Sequence, residues 1–136
     1  MAKMVLLAAF LSLNANDLSN NASKIELTAE VADEDVTTFG SGGWKEVLGG
    51  LKEGSLSVTL KQDVAAAGLD SIMWPLFGTL VPFEVRLSNA ARGASNPGYT
   101  GTVLIKSWKP IAGDVGNVAE VDVEFPTSGA VSRVVS

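Results

Sequence analysis

Hydrophobic and polar residues alternate along several segments of this 136-residue chain, and the alternation predicts β-strands. The clearest cases are residues 23–32, 55–61, 83–87 and 119–125. Every second side chain in them is apolar, which gives a strand one buried face and one solvated face. Residues 99–108 also predict a strand, and residues 130–135 predict a further strand or an arm.

Between the second and third of these strands, the spacing of apolar residues changes to that of a helix. From Leu69 to Phe77 they fall at i, i+3, i+4, i+7 and i+8, which forms one apolar stripe. Pro75 lies inside this stripe and would clash with the preceding turn of a regular helix. We therefore expect a kink, or two short helical pieces, packed against the sheet.

The N-terminal segment allows two interpretations. Lys3 precedes the apolar run Met4–Leu11, as in a signal peptide, but residues 13–16 fit a small-x-small cleavage site poorly. The run is also too short to span a bilayer. The interpretation that we favour is a strand buried on both faces and ended by the turn formers Asn14, Asn16 and Asp17.

Residues 33–50 separate two predicted strands and form either a long loop or a protruding hairpin. Loops of this length in a compact domain are usually functional or mobile. The segment carries Phe39, Trp44 and Leu48, and exposed aromatic residues on such a segment indicate a contact with another protein. We therefore take these three residues as candidate contact residues.

The composition is that of a globular chain with few of the residue types that usually carry out catalysis or bind metals. Hydrophobic residues make up 46% and charged residues 18%, and no domain boundary is visible, so we expect one domain over residues 1–136. The sequence contains no cysteine and no histidine. The usual thiolate and imidazole nucleophiles, bases and metal ligands are therefore missing. We predict no enzyme, no cofactor and no metal site, although carboxylate, lysine or serine chemistry remains open at this point. The net charge of −5 and the lack of a basic cluster argue against tight DNA binding.

Two local motifs suggest ligand sites but fit them badly. The run Asp33-Glu34-Asp35 lacks the alternating ligands and the closing glutamate of a calcium loop, so we interpret it as a solvated turn. Residues 40–43 are glycine-rich, yet Trp44 and Lys45 follow where a phosphate-binding loop needs Gly-Lys-Ser/Thr. We interpret this segment as a hinge or a flexible loop.

Glu120, Asp122 and Glu124 recur at every second position and therefore project from one face of a strand. Neighbouring carboxylates on one strand do not flank a substrate from opposite sides, as glycoside hydrolysis requires. We interpret them as an acidic surface, which Glu26 and Glu30 of another strand would extend.

Taken together, the chain resembles the major tail tube proteins of bacteriophages with long non-contractile tails. The resemblance covers nearly the whole chain and lies in the order and general character of its segments. It rests on the segments Val36-Thr-Thr-Phe-Gly, Trp44-Lys-Glu-Val-Leu-Gly-Gly-Leu-Lys, Gly54-Ser-Leu-Ser-Val-Thr-Leu-Lys-Gln-Asp, Met73-Trp-Pro-Leu-Phe-Gly-Thr, Asn96-Pro-Gly-Tyr-Thr-Gly and Phe125-Pro-Thr-Ser-Gly.

The resemblance implies a mainly β fold, a β-sandwich or rolled barrel of antiparallel strands with one short flanking helix. It implies hexameric rings that stack into a tube for DNA ejection, with residues 33–50 reaching an adjacent ring and the termini helping to join subunits. The implied partners are copies of the same chain and the tape measure, tail terminator and baseplate or tip proteins. DNA is only transient cargo, and no membrane is involved. The implied location is the virion tail, assembled in the host bacterial cytoplasm, and no catalytic residue is carried over.

The acidic strand suits such a conduit, so we take Glu120, Asp122 and Glu124 as candidate residues of the lumen wall. Two alternatives remain at this point. One is the tube protein of a related contractile injection or secretion system, which would share this architecture. The other is a secreted β-sandwich binding module, which would require cleavage near Ala15.

Overall fold

The computed structural model describes residues 3–136 and contains two antiparallel β-sheets packed against each other. The strands are β1 Phe10–Leu13, β2 Asn16–Asp17, β3 Ala22–Asp35, β4 Val47–Lys61, β5 Leu80–Arg86, β6 Gly98–Leu104, β7 Glu120–Pro126 and β8 Ser132–Val134. The helical elements are α1 Leu69–Met73 and two 3₁₀ turns, Phe39–Ser41 and Trp74–Leu76.

The first sheet has the strand order β2-β1-β5-β6-β8, and the second has the order β3-β4-β7. The two sheets meet at one corner, where Val103 of β6 forms a single bridge to Thr127, just after β7. The amide of Ser128 also donates to the carbonyl of Thr102 over 2.8 Å. This corner rolls the sandwich toward a barrel, and the predicted mainly β fold with one short helix is confirmed.

The core lies between the two sheets and is built by the alternation seen in the sequence. In the second sheet, buried residues of β4 lie directly opposite buried residues of β7, and Leu56 faces Phe125 across the ladder. Such cross-strand pairs are the units that stabilise a sheet. The fully buried side chains are Leu11, Leu13, Leu18, Leu56, Val58, Leu60, Leu69, Met73, Val103, Ile105, Val121 and Phe125.

The helical segment divides at the proline, as the sequence predicted. α1 contributes the buried side chains of Leu69 and Met73, and a 3₁₀ turn containing Pro75 continues from it. The ring of Pro75 falls in the first turn of this second piece, where its missing N–H costs no hydrogen bond. The segment therefore covers one edge of the core without forming a long helix.

The prediction that Met4–Leu11 forms a strand buried on both faces is wrong. A strand begins only at Phe10, and the apolar side chains of residues 4–7 are exposed. The reason is the length of the neighbouring strand, since β5 ends at Arg86, which lies opposite Phe10. Residues 3–9 lie beyond the end of β5 and pair with no strand of the described part of the chain. Met1 and Ala2, which the signal-peptide interpretation includes, lie outside the described residues.

Two further boundaries differ from the sequence prediction. The run Asp33-Glu34-Asp35, expected as a solvated turn, is solvent-exposed but forms the end of β3, paired with residues 47–49 of β4. The strand expected over residues 99–108 ends at Leu104. Pairing decides both boundaries: the β3–β4 ladder continues past the core, whereas β6 ends opposite Leu80, the first residue of β5.

Candidate functional site

The most prominent surface feature is the end of the long β3–β4 hairpin, residues 33–50, which we call the hairpin arm. The β3–β4 ladder runs from Ala22 opposite Leu60 to Asp35 opposite Val47. β7 covers β4 only as far as Ser55, so the rest of the hairpin extends beyond the three-stranded sheet. Of the two forms that the sequence allowed, a loop or a protruding hairpin, the chain adopts the hairpin.

Local hydrogen bonds order the tip of the arm even though it is exposed to solvent. The carboxylate of Asp35 accepts a hydrogen bond from the amide of Thr37 over 2.9 Å. The hydroxyl of Thr37 in turn accepts one from the amide of Glu46 over 2.8 Å. The amide of Thr38 donates to the hydroxyl of Ser41 over 3.1 Å. Hydrogen bonding from Thr37 lowers the pKa of Asp35 below its ordinary value, because it stabilises the charged carboxylate.

The glycines in the arm's tip have a conformational role. Gly42 and Gly43 have φ angles of 67° and 86°, in the left-handed region that side chains disfavour. They turn the chain after the 3₁₀ turn Phe39–Ser41 and direct it back toward β4. The role of these glycines is therefore to form the turn.

The three candidate contact residues all lie on the arm, and all are exposed. Phe39 is fully exposed, Trp44 is 79% exposed and Leu48 is 63% exposed. Phe39 and Trp44 line the same shallow concavity at the tip, whereas Leu48 lies in the ladder opposite Glu34. The structure thus brings two of the three together and places the third nearer the base of the arm.

The structure adds two exposed apolar residues that the sequence analysis missed. Val47 lies on the arm and Leu51 directly follows it, and both side chains are exposed. Gly49 and Gly50 interrupt the alternation between them, so the sequence did not show that β4 begins this early. Concentrated exposed apolar surface of this kind marks an interaction site.

The acidic residues of β7 project from the outer face of the second sheet. Glu120, Asp122 and Glu124 are exposed, while the residues between them are buried in the core. The register continues this face across the sheet, because Glu124 of β7 and Glu26 of β3 both lie opposite Ser57 of β4. Two strand spacings separate them, about 10 Å.

The three carboxylates of β7 differ in their partners. Glu120 forms an ion pair with Lys61, and both side chains are roughly half exposed. Asp122 accepts a hydrogen bond from the hydroxyl of Thr59, which is nearly buried. Glu124 borders a small depression that Glu30 and other outer-face residues also line. The basic residues on this face are Lys24 and Lys61. The acidic residues outnumber them and are Glu26, Glu30, Glu53, Glu120, Asp122 and Glu124.

Neither surface forms a metal site within residues 3–136. The described part of the chain contains no group of three or more acidic, histidine or cysteine residues placed to hold a metal ion. No helix among these residues has the length and apolarity needed to cross a membrane.

Comparison with models of known protein families assigns most of this chain to one family. The model of the phage tail tube protein family matches residues 18–133, which is most of the chain. The chain belongs to the phage tail tube protein family. The match confirms the resemblance seen in the sequence, and it makes the chain a structural subunit of a tail tube.

Solved structures with the same fold come from gene transfer agents. A chain of the virion of a native gene transfer agent particle is 21% identical, with a TM-score of 0.73 over 93% of this chain and 95% of that chain. A chain of the tail of an empty gene transfer agent particle, refined with C6 symmetry, is 22% identical, with a TM-score of 0.70 over 93% of each chain. No curated protein is similar enough in sequence to count as a relative.

Proposed function

We propose that six copies of this tail tube protein form a ring, and that stacked rings form the conduit through which DNA leaves a phage-type particle. The observation that carries this proposal is the family match, combined with an exposed arm that protrudes from the sheet. The solved tail with the same fold has C6 symmetry, which supports six subunits in each ring. The subunit acts as a single domain and works by assembly, with no catalytic step.

The hairpin arm joins adjacent rings through Phe39, Trp44 and Leu48 in this proposal. Their exposure supports it, because apolar side chains gain free energy when they leave water. Several large apolar residues lie on the arm, and a neighbouring subunit would bury them.

The outer face of the β3-β4-β7 sheet lines the lumen, with Glu120, Asp122 and Glu124 in its wall. The excess of carboxylates on this face supports the assignment. Electrostatic screening at physiological salt acts over about 8 Å, so the wall repels DNA only at close range and prevents it from adhering.

The further partners follow from the open ends of such a tube. A tape measure protein occupies the lumen during assembly, and terminator and baseplate or tip proteins cap the two ends. DNA passes through as cargo. Assembly takes place in the cytoplasm of the host bacterium, and the finished tube is part of the virion.

Negative-stain electron microscopy of the purified protein at low and high concentration tests the proposal. We expect hollow rings or tubes with six-fold end views. Trp44→Ala, or deletion of residues 40–43, should leave a folded monomer that makes no tubes, whereas the neighbouring control Lys45→Ala should still assemble. Normal tubes from the Trp44→Ala protein would contradict the role of the arm.

Charge reversal tests the lumen wall separately. The double variant Glu26→Lys/Glu124→Lys places two basic side chains on the proposed inner surface. We expect its tubes to retain double-stranded DNA at low salt and to release it as salt rises, since such binding depends on counterion release. Tubes of the double variant that retain no more DNA than wild-type tubes would exclude this face from the lumen.

A further inference from the structure

A second exposed apolar cluster lies at the end of the molecule opposite the arm. It consists of Val64, Ile111, Val115 and Val118, which we call the distal patch. β4 runs from Val47, beside the tip of the arm, to Lys61, close to this patch. At about 3.3 Å per residue, the strand separates the two ends by about 45 Å.

Hydrogen bonds hold the distal patch at that end. The backbone amide of Gln62, the residue after β4, donates to the carbonyl of Ala119 over 3.0 Å. Its side-chain amide donates to the carbonyl of Pro110 over 2.7 Å. Both ends of the segment 110–119 are therefore fixed beside the end of β4, and Val64 follows Gln62 by two residues.

The side chains of the distal patch are unusually exposed for their type. Val115 is fully exposed, and Ile111 is 94% exposed. Single exposed apolar residues need no explanation, but four within two loops joined by hydrogen bonds concentrate apolar surface at one end of the molecule, which favours contact with a partner.

The arm and the segment 106–118 carry charges of opposite sign, whereas Val64 of the distal patch directly follows the acidic residue Asp63. Residues 33–46, at the end of the arm, contain four acidic side chains and one lysine. Residues 106–118, around the distal patch, contain two lysines and one aspartate, and both lysines are exposed. Complementary charge favours one orientation of two contacting surfaces over the other.

We propose that the distal patch receives the tip of the hairpin arm from a subunit of the adjacent ring; this rests on the proposed assembly into stacked rings. A tube that grows by adding identical rings in one direction uses a head-to-tail contact, in which one end of the subunit binds the opposite end of the next copy. The arm supplies Phe39 and Trp44, and the distal patch supplies the aliphatic surface on which they pack. Lys106 and Lys109 lie beside the acidic flank of the arriving arm.

The absence of cysteine from the sequence makes this contact directly testable by cross-linking. One protein carries Lys45→Cys at the tip, and a second carries Asn117→Cys within the segment that bears the distal patch. The two are mixed under assembly conditions and treated with a short bismaleimide. A third protein, Glu26→Cys, supplies a thiol at an exposed position on the sheet face as the control partner.

We expect a covalent dimer from the mixture of Lys45→Cys and Asn117→Cys, and at least tenfold less from Lys45→Cys with Glu26→Cys. Tubes that form while the Lys45→Cys chain links equally to both partners, or only to Glu26→Cys, would overturn the distal patch and leave the tube proposal intact. If the wild-type protein forms no tubes at any concentration, the assembly proposal fails, and the distal patch fails with it.

A second variant examines the same contact without a cross-linker. Ile111→Ser/Val115→Ser changes two side chains that contribute little to the fold, so its thermal unfolding should match that of the wild type. We expect single rings at a concentration at which the wild-type protein forms tubes. Tubes of normal length from this variant would contradict the proposal.

Discussion

The indole Nε1 of Trp108 donates a hydrogen bond to the Oδ1 atom of Asp70 over 3.0 Å. Trp108 is nearly buried and follows β6, whereas Asp70 lies in the first turn of α1. The bond therefore ties the start of the long segment before β7 to the helix, and it joins two parts of the chain that are 38 residues apart.

Trp108→Phe should destabilise the protein because it removes this bond while keeping an aromatic ring. A hydrogen bond to a charged group contributes about 2 kcal/mol to the free energy of unfolding, and we expect a loss of that order. Urea denaturation measures the change. Trp74→Phe is the matched control, since Trp74 is exposed and a phenyl ring still stacks on Phe77; its effect should stay within about 0.5 kcal/mol. Equal losses from both variants would contradict the role of the bond.

Asp122→Ala should cost about 1 kcal/mol, because the nearly buried hydroxyl of Thr59 then loses its acceptor. Glu124→Ala is the control on the same face, for which the structure of residues 3–136 shows no side-chain hydrogen bond. We expect Glu124→Ala to change the free energy of unfolding by less than about 0.5 kcal/mol. Chemical denaturation of both variants compares the loss of Asp122, which accepts a hydrogen bond, with the loss of Glu124, which accepts none from residues 3–136. Identical changes in the free energy of unfolding would refute this distinction.

Gly54→Ala should destabilise the corner where the two sheets meet. A Cβ atom at Gly54 would lie 3.0 Å from the carbonyl oxygen of Thr28 and 3.2 Å from the hydroxyl of Thr127. The amide of Thr127 also donates to the carbonyl of Gly54 over 3.0 Å, so the crowding acts on the corner itself. Overpacking costs about 1–3 kcal/mol, which exceeds the gain of about 0.4–1 kcal/mol from a stiffer unfolded chain.

Calorimetry of Gly54→Ala measures this net loss of stability. Gly40→Ala is the control, because its new methyl group would meet the hydroxyl of Thr38 at an ordinary 3.5 Å. Its melting temperature should equal or slightly exceed that of the wild type. A Gly54→Ala protein as stable as this control would show that the corner adapts freely.

The order of the arm's tip should depend on pH through Asp35. Its pKa lies below the ordinary value of 3.8 in the folded protein, so the bond from Thr37 is fully present above pH 3.8 and is lost as the pH falls through the lowered pKa. The amide proton shift of Thr37, followed by NMR, should therefore titrate with a midpoint below 3.8. In Asp35→Asn the same shift should show no transition, and a persistent transition there would assign the effect to another group.

The sequence predicted those elements whose burial follows a regular period. The alternation of Ile25 and Leu27, of Val58 and Leu60, and of the residues of β7 matches the strands because each has one face against the core. The split of the helix at Pro75 was also predicted, since it depends on local stereochemistry. The exposed Phe39 and Trp44 could be named because their hydrophobic side chains lie in a polar, glycine-rich segment.

The sequence did not predict features that depend on pairing over long distances. The early start of β4 requires pairing with β3. Gly49 and Gly50 have low strand propensity, so the sequence alone does not predict a strand there. The apolar N-terminal run resembled a buried strand, but only the length of β5 decides how much of it pairs. The sequence did not predict the distal patch, because Ile111 and Val115 lie in a segment where apolar residues have no regular spacing. Only the fold places them beside Val64.

The base of the hairpin arm has a mechanical consequence for the assembled tube. The β3–β4 register shifts between Val31 and Asp33, and the facing strand carries Gly49 and Gly50 beside this irregularity. With such a bulge beside two glycines, the ladder is less stiff than a regularly paired one. The arm therefore bends there more readily than elsewhere. In the proposed tube, where the next ring holds its tip, each arm would act as a compliant joint. A tube linked in this way curves through small rotations shared among many rings, and no single contact has to break.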